Sequence, residues 1–197
     1  MPPELDSFVS FVDKSIERAL ELASAISKSA QRCLKDRKHA EGPSVGLKGP
    51  KWLAKLQGRG LESLTDIAQN LESLGDCLRK VATAAESDMI EWMADAGLGQ
   101  NMVTSLREHA GSATMLAETC EDVHGETNEI WDQLGSVQPS VMEVAKGSKK
   151  GKIWASMLGT GFHRVAISTG AAAHSGMEAA GFLREFREHV HVSTSIV

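Results

Sequence analysis

The sequence predicts an all-α protein, an elongated antiparallel four-helix bundle with long helices. Apolar residues recur at alternating spacings of three and four over long segments, which keeps one face of a helix turned towards its partners. The first three of these segments show no convincing alternation of apolar and polar residues. Composition agrees: aromatic residues make up 5% of the chain and tyrosine is missing. Sheets draw heavily on aromatic and β-branched residues, whereas alanine, leucine, glutamate and lysine favour helix. At 197 residues the chain suits one domain, and it buries a sizeable core without staples.

The first segment, expected over about residues 5–37, carries Val12, Ile16, Ala19, Ala23, Ile26, Ala30 and Cys33 on one face. A loop is expected over 38–50, where "AEGPSVGLKGPK" holds two prolines and three glycines. The second helix, about 51–95, is drawn by Leu64, Ile67, Leu71, Leu74, Leu78, Val81 and Ala85. "AGLGQ" at 96–100 reads as a helix stop and turn. The third helix, about 100–136, runs through Leu106, Ala110, Ala113, Ala117, Cys120, His124, Thr127, Trp131 and Leu134. "GSVQP" then precedes the fourth, about 140–191.

That fourth segment contains the least ordinary stretch, "GTGFHRVAISTGAAAHSGMEAAG" at 159–181. The repeat nevertheless continues through it as Ala155, Leu158, Phe162, Val165, Thr169, Ala172, Gly176, Ala179, Leu183, Phe186 and Val190. A flexible linker would not keep such a register. The seam is large at both ends and small in the middle, so Thr169, Ala172, Gly176 and Ala179 are expected at a close helix contact. Each glycine here weakens a helix by about 1 kcal/mol relative to alanine. Close packing must offset that, or the helix breaks near 159–161. A latent membrane helix competes with this reading, because Ala172, Gly176 and Ala180 have small-xxx-small spacing. The longest uncharged run, Val165–Met177, is thirteen residues, short of the ~20 needed to span a bilayer.

Motifs for chemistry are weak. "GSKKGK" at 147–152 resembles a phosphate loop, but three residues separate its glycines and Ile153 follows the lysine. A nucleotide loop needs four between the glycines and a Ser or Thr at that last position. Glu185, His189 and His191 fall short of a four-ligand zinc site. Cys120 and His124 share a helix face, yet lack a third group to orient the base. No cofactor site is expected, and the reading is non-enzymatic. The opening "MPPELDSF" lacks a secretory pattern, and Cys33, Cys77 and Cys120 show no metal or disulfide spacing. The expectation is a cytoplasmic protein with reduced thiols, associating peripherally with membrane if its partner is lipid.

The informative feature is charge. Residues 31–59 and 146–152 carry 12 of the 21 lysines and arginines but 2 of the 26 acids, a net +10 that leaves −15 elsewhere. In an up-down-up-down bundle both segments fall at one end, with Trp52, Trp131 and Trp154 near them and Trp92 opposite. The expected anionic-surface residues are Lys35, Arg37, Lys38, Lys48, Lys51, Trp52, Lys55, Arg59, Lys146, Lys149, Lys150, Lys152 and Trp154. Lysines attract anionic headgroups and indoles favour the interfacial layer. The expected function is docking of this pole on an anionic lipid surface, extending to insertion or permeabilisation if the fourth helix leaves the bundle. The alternative is an interaction module that binds an acidic protein or self-associates. Nucleic acid is disfavoured by the net charge of −5, which is poorly suited to a polyanion.

Overall fold

The computed structural model describes residues 3–40, 50–88, 96–136, 139–140, 143 and 146–195. Four helices account for nearly all of them: α1 (Pro3–Ala40), α2 (Pro50–Asp88), α3 (Ala96–Ser136) and α4 (Lys149–Ser195). With 38 to 47 residues each, they are about 57–70 Å long. Proline opens α1 and α2, where its fixed φ suits the first turn and its missing N–H costs nothing. Arg37, Lys38 and His39 lie in the last turn of α1, where positive charge complements the helix dipole. Residues 38–40, expected in the loop, therefore belong to α1, and α3 starts four residues before its expected position.

The fourth helix does not start near 140. Ser140 and Glu143 do form a capping box: the Ser140 N–H donates to Glu143 Oε2 at 2.8 Å, and the Glu143 N–H donates to Ser140 Oγ at 3.2 Å. The chain then turns at Gly147, whose φ of 65° is the left-handed value glycine tolerates. The Ser148 N–H returns to the Glu143 carbonyl at 3.0 Å. Ser148 opens α4 afresh, its Oγ accepting the Gly151 N–H at 3.0 Å. From there α4 is continuous, including residues 159–161.

Cross-helix contacts give the topology. Arg187 of α4 pairs with Asp13 near the start of α1 at 2.6 Å, while Arg59 near the start of α2 pairs with Asp36 near the end of α1 at 2.6 Å. Arg79 donates to Thr114 at 3.0 Å across α2 and α3, and Arg164 meets Glu126 at 2.5 Å across α3 and α4. Each neighbouring pair is thus antiparallel, and α2 and α4 also touch across the centre. Among the described residues there is no strand.

The core follows the four stripes. Every seam residue is buried except His124 and Ala155, which are half-buried. Small residues are buried at mid-length on α1, α3 and α4, while α2 contributes Leu64, Ile67, Leu71, Leu74 and Leu78. A Cβ placed on Gly176 would lie 3.7 Å from Ala23 Cα and 3.3 Å from Ile26 Cδ1, so α4 and α1 approach closely there. Thr169, Ala172 and Ala179 are buried on the same seam. Burial raises the pKa of the Cys33 thiol, while the Ser63 and Thr169 hydroxyls beside it pull the other way.

Candidate functional site

The end of the bundle where α1 and α3 finish and α2 and α4 begin gathers the basic segments. Arg32, Lys35 and Lys38 on α1, Lys51 and Lys55 on α2, and Lys146, Lys149, Lys150 and Lys152 at the entry to α4 are exposed. Because α1 borders both α2 and α4, this positive run is shared by three adjacent helices. Arg37 and Trp52 are half-buried. Lys48 and Trp92 lie outside the described residues.

Two members of the expected set are differently placed. Arg59 is bound to Asp36, whose side chain is 5% exposed and whose Oδ2 has no hydrogen-bond partner among the described residues. Burial, the largest influence, pushes the Asp36 carboxyl above its usual value, and the Arg59 guanidinium opposes it. Trp154 is 5% exposed rather than interfacial, and its indole N–H donates to the Leu134 carbonyl at 3.2 Å. The reason is register: position 154 lies four before Leu158, and α4 turns the large indole inward there in preference to Ala155. Trp131 is also buried, stacked at a tilt on Phe162 with centroids 5.0 Å apart.

Besides Leu34 of α1, 46% exposed, apolar exposure at the pole comes from Ile153 and Met157, 53% and 41% exposed. Together with Leu134, Lys149, Lys150 and Trp154 they line an open groove of about 410 Å³ between the end of α3 and the start of α4. Sequence reasoning missed them, although two large apolar residues four apart and off the seam were a readable signal. It also missed that α3 brings acids to this end: Glu126, Glu129 and Asp132 are exposed, with Glu126 held by Arg164. The pole is therefore two-sided, positive on α1, α2 and α4 and negative along α3.

The weaker chemical candidates lie away from the pole, Cys120 midway along α3 and Glu185 and His189 towards the far end of α4. Burial first, then Cys33 and Glu121, push the Cys120 thiol up to about 11, which makes it no thiolate nucleophile at neutral pH. Glu185 is exposed and His189 half-buried, and among the described residues no three metal-binding side chains cluster. None of the described helices is long and apolar enough to cross a membrane. Among protein families, curated proteins and solved structures, nothing matches this chain.

Proposed function

We propose that this protein docks peripherally on an anionic membrane surface through its basic pole. The observation that carries the reading is convergence: cations from two segments nearly a hundred positions apart meet at one end, beside exposed Ile153 and Met157. Nine exposed lysines and arginines lie there, and each basic group near an anionic leaflet contributes about 1 kcal/mol. Apolar side chains at the same place add a contact that salt does not screen. The acids of α3 give the docked molecule a preferred orientation, with that edge turned from the lipid.

Co-sedimentation with vesicles tests the proposal. The protein pellets with vesicles containing anionic phospholipid and stays in solution with zwitterionic ones, and binding fades as salt rises. Equal partitioning into both kinds of vesicle would refute it.

A second reading has its own support. Ile167 and Met177 project from the outer side of α4 well away from the pole and are exposed. Such exposed apolar side chains, interspersed with the His174–Glu178 pair, offer contacts to a protein partner or a second copy of the chain, and the pole would then meet an acidic protein.

A further inference from the structure

We infer that the groove at the start of α4 receives an acyl chain of an anionic phospholipid, a claim that rests on the membrane-docking reading and specifies it. Buried Leu134 and Trp154 contribute the apolar floor, exposed Ile153 and Met157 extend the apolar surface, and Lys149 and Lys150 contribute positive charge. The one polar side-chain atom of the floor, Trp154 Nε1, is already engaged by the Leu134 carbonyl. The groove therefore offers carbon surface and, from its two lysines, positive charge.

Those properties select the occupant. An acidic peptide brings backbone N–H and C=O groups, and burying them against carbon without partners is unfavourable. An acyl chain has no such groups, and the phosphate at its head is complementary to lysine. Each methylene removed from water tightens binding roughly fourfold. The groove thus adds an apolar contribution to the diffuse attraction of the pole, and it holds one lipid in a defined position.

The test uses vesicles of anionic phospholipid with brominated acyl chains, which quench an indole they touch. Sedimentation and tryptophan emission are read together on the wild type, Trp154→Phe, and the double variant Ile153→Gln/Met157→Gln. That double variant changes exposed side chains only and keeps every charge, so circular dichroism should be unaltered. The wild type is expected to pellet and to lose emission, and the quenched component should be missing in Trp154→Phe. The double variant should bind roughly tenfold more weakly and show little quenching. A wild type that pellets without quenching of Trp154, together with an unweakened double variant, overturns the groove while leaving docking intact. Failure to pellet at low salt overturns docking and the groove with it. Protection of Trp154 by a leucine-containing acidic peptide, with no quenching by brominated chains, overturns the lipid in favour of a protein partner.

Discussion

The indole of Trp131 lies so close to the backbone of Gly161 that a Cβ on that glycine would fall 2.8 Å from Nε1. The far edge of the same ring meets Gly60 of α2, where a Cβ would lie 3.2 Å from Cη2. One side chain of α3 thus wedges between glycines of α2 and α4. Gly161→Ala should destabilise the fold by about 1–3 kcal/mol through overpacking, although alanine is the better helix former. Gly170 has nothing within 4 Å of its would-be Cβ, so Gly170→Ala should stabilise by up to about 1 kcal/mol. Urea denaturation of the two variants checks both signs.

Gly176 makes the corresponding contact between α4 and α1. The Ala23 backbone lies opposite, and backbone cannot yield as the tip of Ile26 can. Gly176→Leu is expected to cost ~1–3 kcal/mol while raising intrinsic helix propensity. A higher denaturation midpoint in this variant would contradict the close approach.

Asp36 predicts a dependence on pH. Its folded pKa is raised, chiefly by burial, so the folded state holds this proton to higher pH than the unfolded chain does. The stabilising contribution is complete below the unfolded pKa and is lost as pH rises through the raised folded value. Asp36→Asn has no such loss. Its stability relative to wild type should improve between pH 4 and pH 7, as read from denaturation midpoints at both. A relative decline over that interval would show that Arg59 outweighs burial.

The acids of α3 oppose an anionic surface. Glu129→Gln/Asp132→Asn should strengthen binding to anionic vesicles modestly, about two- to fivefold, because an edge turned from the lipid feels less than the ~1 kcal/mol of a charge near the surface, and leave the fold intact. Co-sedimentation at one fixed salt concentration reads the change. Unchanged binding would place these residues beyond the reach of the lipid field.

The seams were legible because a strict three-four repeat survives even where the residues are small, as at Thr169, Ala172, Gly176 and Ala179. The break at Gly147 was not. Ser140 and Glu143 make the same capping signal as a long helix start, and the left-handed turn that follows depends on one glycine. Trp154 was misplaced because positions 154 and 155 both fit a seam through Leu158, and only packing decides which turns inward. The wedge of Trp131 between Gly60 and Gly161 involves three helices, and no spacing within one helix encodes it. The basic segments were readable as composition, and their meeting at one end followed from topology. The acids of α3 at that same end were overlooked because they belong to a segment whose seam, rather than its outer face, was being read.

The most direct test of the account is to neutralise the two lysine clusters separately and together. One variant carries Lys35, Lys38, Lys51 and Lys55 as glutamine, the second carries Lys146, Lys149, Lys150 and Lys152 as glutamine, and the third combines them. Exposed charges contribute little to stability, so all three should fold. If one pole docks on lipid, each cluster alone should weaken binding to anionic vesicles by a comparable step, up to roughly a thousandfold at ~1 kcal/mol per lysine, and the combined variant should stay in solution. A wild type that ignores anionic vesicles at low salt, or clusters whose loss changes nothing, would contradict the claim.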